Sequence, residues 1–263
     1  MSSRLALLAP LIAGLAIGSP APHAAPAAMR FRIDAKTHAM IDLTGFGQPP
    51  TEQDIGLTAW VGITLSDTTG GRTMHVVVDS AKYEGTVPIS QESVDSVKGG
   101  VLHGLVEPNG RVKDLDATPK SSLFMAQVQA VMANLFPKLK GAAKTGDTWT
   151  DTSEVTNTAG GANTTTKLIS TYTAGSNETV AGLPAMRLNA SFTSSTTGTL
   201  ENPMGTVEVE GTGTGTGYYL VGADGRYLGS GSTTNLDQKL KTAMAPGPIP
   251  VKTVQTLTVT LLK

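Results

Sequence analysis

One segment of this chain, residues 121–136, has the spacing of a long α-helix, whereas most of the remaining sequence has the spacing of β-strands. The apolar residues of this segment fall on one broad helical face: Phe124, Met125, Val128, Val131, Met132, Leu135 and Phe136. Ser121 and Ser122 are suited to cap its start. Pro137 disfavours helical angles at Phe136, so we expect the helix to end there.

The same segment carries no charged residue between Ser121 and Phe136, which is unusual for a surface helix. Two interpretations follow. The helix is buried on its apolar side, with a small neutral back that touches a loop. Alternatively, it lies across the mouth of an apolar cavity and moves to admit a ligand. A membrane span is disfavoured, because the segment is shorter than the roughly 20 residues needed to cross a bilayer.

Strand periodicity dominates on both sides of the helix. From Phe31 to Leu43, apolar and polar residues alternate as in a half-buried strand. Gly45 to Asp54 is predicted to be a loop, and Ser90 to Lys98 either a short helix or a loop. Further strand-like segments follow at 57–65, 72–83, 101–106, 111–115, 164–173, 185–192, 206–219, 226–235 and 251–262.

Two short sequences predict tight hairpin turns. Asn109-Gly110 follows one strand-like segment, and Asp224-Gly225 follows another. Both pairs supply the positive backbone angles that such turns require. The sequences around them also resemble each other, which is explained equally by an internal duplication and by independent selection of turn residues.

The segment from Thr206 to Gly217 places a row of glycines on one strand face, among them Gly211, Gly213 and Gly215. Glycine sacrifices packing in a strand, so such a row indicates strong curvature or close approach by another group. We interpret the row as sheet bending or as a surface on which the helix packs. The functional alternative is a groove for an acyl chain or similar apolar ligand.

The first 28 residues have the composition of a cleaved signal peptide. Arg4 gives a short basic start, residues 5–18 are apolar, and residues 21–28 are small. We therefore expect a mature chain that begins near Met29, lies in the periplasm or is secreted, and does not span a membrane after processing.

Charge and cysteine content restrict the partners. Lys and Arg number 20 against 21 Asp and Glu, so no basic field is present to recruit nucleic acid. The absence of cysteine excludes disulfides and an N-terminal lipidated cysteine. We expect an apolar small molecule or lipid, or another envelope protein, as the partner.

No catalytic motif is found in the sequence. The glycine run lacks the Lys-Ser or Lys-Thr ending of a phosphate-binding loop, and Gly229-Ser230-Gly231 is not a nucleophile elbow. The histidines of the expected mature chain, His38, His75 and His103, are not at metal-ligand spacing, and His103 shares a strand face with apolar residues that favours a core position. We therefore predict no enzyme activity, no cofactor and no metal site.

Short motifs around the helix resemble a bacterial family of exported domains of unknown function. They are Phe136-Pro137 and the later Gly146-Asp147-x-Trp149. The outline of strand-rich halves around a helix is also similar to the half-barrels of periplasmic lipoprotein carriers and mycobacterial lipid-binding lipoproteins. That resemblance implies a half-barrel fold and a lipid-related function.

Together these features predict a mainly β (α+β) protein with a strongly curved antiparallel sheet, or half-barrel. We expect a single domain over residues 29–263, with β-rich halves at 29–120 and 150–263 joined by the helix and linking region at 121–149. The predicted ligand site in the concavity comprises Phe124, Val128, Val131, Met132, Leu135, Phe136, Gly211, Gly213 and Gly215. The alternative function is a structural module that pairs with a partner through an edge strand.

Overall fold

A computed structural model describes residues 28–86, 89–119, 123–139, 141, 143–157, 162–202, 205–243 and 245–263. Strands make up most of this part of the chain. They are β1 Met29–Ile41, β2 Thr51–Thr68, β3 Gly71–Gly85, β4 Val101–Val106, β5 Val112–Thr118, β6 Thr148–Asn157, β7 Ala162–Val180, β8 Leu183–Asn202, β9 Gly205–Gly222, β10 Tyr227–Thr242 and β11 Ile249–Leu261.

All eleven strands belong to one curved antiparallel sheet, as the sequence predicts in outline. Their order is β5-β4-β3-β2-β1-β11-β10-β9-β8-β7-β6, so β5 and β6 form its two edges and the sheet stays open. The first and last strands lie together in the middle, where Phe31 of β1 is opposite Leu261 of β11 and Val61 of β2. The first and last strands of the chain therefore lie at the centre of the sheet.

One face of the sheet carries the main hydrophobic core. The alternation in β1 places Phe31 and Ile33 on this face, and the same alternation in β2 and β3 adds a row of aliphatic side chains. Tyr227 of β10 and Val259 of β11 extend the core toward the second half of the chain. The strands thus bury the face that their sequence pattern marks as apolar.

Two α-helices lie within the described residues. Helix α1, Gln91–Asp95, begins at Ser90, whose Oγ accepts a hydrogen bond from the Ser93 amide, so the short helix is present. Helix α2, Leu123–Ala133, ends three residues before the predicted end at Phe136. The amides of Asn134 and Leu135 donate to carbonyls only three residues back, and this tighter turn ends the helix before Pro137.

Other boundaries also differ from the prediction. Strand β2 begins at Thr51, so the expected loop Gly45–Asp54 is too long; a short 3-10 helix, Thr44–Phe46, begins the connection. Extended pairing with β1 overrides the loop-like composition, since Thr51 is opposite Ile41. Both predicted tight turns are confirmed: the Gly110 amide bonds to the Glu107 carbonyl, and the Gly225 amide to the Gly222 carbonyl.

Two sequence predictions concern residues outside the described part of the chain. They are the signal peptide and the capping role of Ser121 and Ser122. Within the described residues, no helix combines the length and apolar character required to cross a membrane.

Candidate functional site

The predicted site residues from the helical segment lie in the main core. Phe124, Val128, Met132, Leu135 and Phe136 are buried there, and Val131 packs against them. The Phe124 ring meets Tyr83 edge-on at 5.9 Å between centroids. This packing agrees with the interpretation of a helix buried on its apolar side.

The predicted glycines lie elsewhere, in the middle of β9. A β-carbon added to Gly213 would meet Leu236 of β10 at 2.5 Å and would also contact Ser194 of β8. One added to Gly215 would lie 2.6 Å from the Thr233 carbonyl oxygen. The neighbouring strands therefore crowd this row, which agrees with the interpretation of sheet bending.

The structure does not bring the two groups of predicted site residues together. Helix α2 packs on β5 and α1, seven strand positions from β9 in the sheet order. Gly211 lines a separate hollow of about 290 Å³ with Gln238 and Val251. The packing of helix on glycines is therefore a wrong interpretation, because strands flanking β9 occupy that space; ligand contacts at these residues stay a prediction.

A different segment crosses from one edge region of the sheet to the other. We call residues 134–147 the seam. The Leu139 amide donates to the Asn109 carbonyl at 2.8 Å, which fixes the seam to the β4–β5 turn. At its other end the Gly146 amide donates to the Ala174 carbonyl of β7 at 2.8 Å. The seam therefore links the β4–β5 turn to β7 at this end of the sheet.

Gly110 permits the close approach of the seam to the β4–β5 turn. Its φ is +84°, and an added β-carbon would collide with the Pro137 carbonyl oxygen. The neighbouring Phe136 ring packs edge-on against Tyr227 at 5.6 Å between centroids. The sharp hairpin turn predicted at Asn109-Gly110 thus also serves long-range packing.

An apolar pocket of about 610 Å³ opens beside the seam. Leu139 and Ala143 of the seam form one wall, and Met186 and Leu188 of β8 form a second. Val221 lies between them at the end of β9. The lining is completed by Gly141 of the seam, by the strand residues Asn177, Pro184, Ala185 and Gly222, and by the turn residues Pro108, Ala223 and Gly225.

Beneath the pocket lies a second, smaller hydrophobic cluster. Its buried members are Ala174, Leu188 and Val221, and Leu139 and Met186 pack against them. Among the described lining residues none is charged, and Asn177 supplies a single side-chain amide. The volume lies within the range of small-molecule sites, about 300–1,000 Å³. The chemistry of the walls favours an apolar occupant.

A polar cluster adjoins the pocket where the seam meets β6 and β7. Trp149 Nε1 donates to the Lys138 carbonyl at 2.7 Å, and the indole stacks on Tyr172. The Lys138 ammonium donates to the Gly110 carbonyl at 3.0 Å. Burial lowers the pKa of Lys138, although the Asp151 carboxylate opposes that shift, and burial raises the pKa of Tyr172.

The pocket residues were missed in the sequence because no one element carries them. Leu139 and Ala143 follow the expected helix, whereas Met186 and Val221 lie in strands with many polar residues. The sequence feature that could have indicated the pocket is the pair of predicted hairpin turns, since Pro108 of one turn and Gly225 of the other both line it. Only the sheet register shows that these turns lie at the same end.

The histidine predictions require a correction. His103 is exposed and not a core residue. Side chains alternate along β4, so the neighbouring Leu102 faces the core and His103 faces the opposite side. It lies opposite His75 of β3, with 3.3 Å between the two Nδ1 atoms. Sequence spacing cannot show this proximity, because it arises from pairing between strands. Within the described residues, no group of three acidic, histidine or cysteine side chains is placed to bind a metal.

Comparisons with known proteins reveal similarity only at the level of fold. No protein family and no curated protein matches the sequence. A solved structure of lipovitellin, reported for its lipid–protein interactions, is 12% identical with a TM-score of 0.50; the match covers 91% of this chain and 25% of that chain. This chain thus spans about a quarter of the lipovitellin chain.

A second solved structure, OccK2 of Pseudomonas aeruginosa in complex with glucuronate, is 7% identical. The match covers 90% of this chain and 98% of that one, but its TM-score of 0.22 is too low to support an argument. The likeness to the lipovitellin structure therefore concerns the fold alone. The resemblance to an exported bacterial family stays a prediction.

Proposed function

We propose that this chain is a non-enzymatic, exported envelope protein that binds a lipid or another apolar molecule in the pocket beside the seam. The observation that carries the proposal is the pocket itself, with about 610 Å³ of space and apolar side chains on its two main walls. Burial of an acyl chain against such walls is favourable by about 25 cal/mol per Å² of apolar surface.

The shape of the ligand follows from the lining. No charged side chain belongs to the described lining, so a charged head group finds no opposite charge inside. The ligand therefore inserts an apolar chain or ring and leaves its polar end at the mouth. The fold similarity to lipovitellin, which was studied for lipid–protein interactions, supports the same ligand class.

Binding is tested with N-phenyl-1-naphthylamine, a neutral apolar fluorophore, and with a dansyl fatty acid. Met186 lines the pocket and is half-buried, so Met186→Glu places a charge in the wall. We expect saturable binding to the unaltered protein and a loss of affinity of about tenfold or more in this variant. Circular dichroism checks that the variant is folded.

The matched control is Ile169→Glu on β7, where the side chain is 38% exposed and does not belong to the pocket. This variant should bind like the unaltered protein. Ala143→Phe fills the pocket from the seam without adding charge and should also reduce binding. If the unaltered protein shows no saturable binding, or both charge variants behave alike, the proposal is wrong.

Export is tested separately. Removal of residues 1–28 during secretion gives a mature chain beginning near Met29, as the small residues before it predict. Intact-mass measurement of protein recovered from the periplasm or medium should show this shortened chain. Full-length mass in the recovered product would contradict the export proposal and leave the binding proposal intact.

A second candidate function is strand pairing with an envelope protein. Edge strand β6 pairs with β7 alone among the described strands, and its Val155 side chain is 55% exposed. Such an edge presents backbone groups to another chain. A photo-crosslinker at Val155 should capture a protein partner if this candidate is correct, whereas one at Lys113 on the opposite edge should not.

A further inference from the structure

Two histidines lie side by side on the face of β3 and β4 opposite the main core, away from the pocket. His75 of β3 is directly opposite His103 of β4 in the antiparallel register. Their Nδ1 atoms are 3.3 Å apart, and their ring centroids are 4.6 Å apart. Backbone pairing on both strands holds the two rings together, because each position is fixed by the ladder.

The separation of these nitrogens matches that of two ligands on one metal ion. Imidazole nitrogens bind Zn²⁺ at about 2.0–2.1 Å, so two of them at about 90–110° around the ion are about 2.8–3.4 Å apart. The observed 3.3 Å lies within that range.

We propose that His75 and His103 form a surface site for a late first-row divalent metal ion, with Cu²⁺ bound more tightly than Zn²⁺. Imidazole suits these ions, and Cu²⁺ heads the usual affinity order. Each ring supplies one ligand to the ion. Water completes the coordination, because the described residues contain no group of three side chains that could hold a metal.

Proton balance is satisfied without an added base. In the metal-free protein the Nδ1–H group of one ring donates a hydrogen bond to the Nδ1 atom of the other, as the 3.3 Å separation indicates. Neutral imidazole carries its proton on either nitrogen. When the metal binds, the proton of the donor ring moves through solvent from Nδ1 to Nε2 of the same ring. Both Nδ1 lone pairs then face the metal, and no net proton is released.

The test is calorimetric titration of the untagged full chain with CuSO₄ and with ZnCl₂. We expect one ion bound per chain at this site, with a Kd that rises by about tenfold or more in His75→Gln and in His103→Gln. His38→Gln is the matched control, because His38 is an exposed strand histidine that contacts Asp54 instead of another histidine. This control should bind like the unaltered protein.

A second measurement identifies the ligands directly. Electron paramagnetic resonance of the Cu²⁺ complex should show two imidazole nitrogens in the unaltered protein and one in His103→Gln. The proposal is overturned if no binding occurs below millimolar metal. It is also overturned if His103→Gln retains the full affinity, or if His38→Gln alone loses it.

Discussion

Lys138 is the residue at which the two edge regions of the sheet are joined. Its carbonyl accepts the Trp149 indole proton of β6, and its ammonium donates to the Gly110 carbonyl of the β4–β5 turn. Its amide also lies 3.4 Å from the Tyr172 hydroxyl oxygen. One residue of the seam therefore links elements that lie at opposite ends of the strand order.

Trp149→Phe isolates the indole hydrogen bond within this link. The ring remains able to stack on Tyr172, but the Lys138 carbonyl loses its donor. We expect the free energy of unfolding to fall by about 1 kcal/mol, and by more in Trp149→Ala, which also removes the ring. Urea denaturation measures both. Equal losses in the two variants would show that the hydrogen bond contributes as much as the whole side chain.

Tyr227 makes a buried hydrogen bond in the main core. Its hydroxyl lies 2.6 Å from Ser230 Oγ, and both side chains are buried. Tyr227→Phe and Ser230→Ala each leave one hydroxyl without this partner, so each should cost about 1–3 kcal/mol. Because the double variant removes both polar groups, its cost should be smaller than the sum of the two. A strictly additive cycle would contradict this coupling.

The buried tyrosines also predict how stability varies with pH. Burial raises the pKa of Tyr219 and Tyr227, so above pH about 10 the folded chain binds more protons than the unfolded chain. Their contribution to stability is therefore present below pH about 10 and is lost as the pH rises. Lys138, with its lowered pKa, acts in the opposite direction but is a single group.

Urea unfolding at pH 8, 10 and 11 tests this expectation. The free energy of unfolding should fall between pH 10 and 11, and the fall should be smaller in Tyr227→Phe. Constant or rising stability over that interval would contradict the assignment of these hydroxyls to a buried, neutral state.

At the scale of elements, β9 owes its glycines to the closeness of its neighbours. A β-carbon on Gly215 would lie 2.6 Å from a backbone oxygen of β10, and one on Gly217 would lie equally close to the Gly231 carbonyl. Side chains cannot enter this space without moving a backbone. The glycine row therefore belongs to the bending of the sheet.

Gly215→Ala tests this role against a matched glycine. We expect it to destabilise the fold by about 1–3 kcal/mol, since a rigid backbone oxygen must shift. Gly62 of β2 is the control, because an added β-carbon there meets nothing within 4 Å. Gly62→Ala should be neutral or stabilise by up to about 1 kcal/mol. Similar losses at both positions would show a general intolerance of strand glycines instead.

The elements differ in how far the sequence predicted them. The alternation of apolar and polar residues correctly predicted the buried face of β1. The need for a positive φ correctly predicted the turns at Gly110 and Gly225. The end of α2 was predicted three residues late, because hydrogen bonds in the last turn, and not Pro137 alone, decide it. Local pattern therefore predicted type and position better than exact ends.

The candidate site was the least predictable part. Its walls come from the seam, β8 and β9, and contact between Leu139 and the Leu188 cluster depends on how the seam crosses the sheet. The His75–His103 pair depends likewise on the register of β3 against β4. Such placements follow from long-range pairing, which local periodicity does not specify.

For the whole molecule, the order of strands determines where a ligand can bind. Because β1 pairs with β11, the first and last strands lie at the centre of the sheet. The two edge strands are β5 and β6, so the segment between them in the chain must connect the two edges. The seam makes that connection. The apolar pocket lies beside it, whereas the space under α2 is filled by side chains of the main core.

The central claim is that an apolar ligand occupies the pocket beside the seam. It is tested most directly by photo-crosslinking with a diazirine fatty acid, followed by peptide mapping. We predict saturable labelling at the pocket residues Leu139, Ala143, Met186, Leu188 and Val221, and competition by unlabelled fatty acid. Labelling concentrated at residues 124–132 or 211–215, or labelling that no competitor reduces, would contradict the claim.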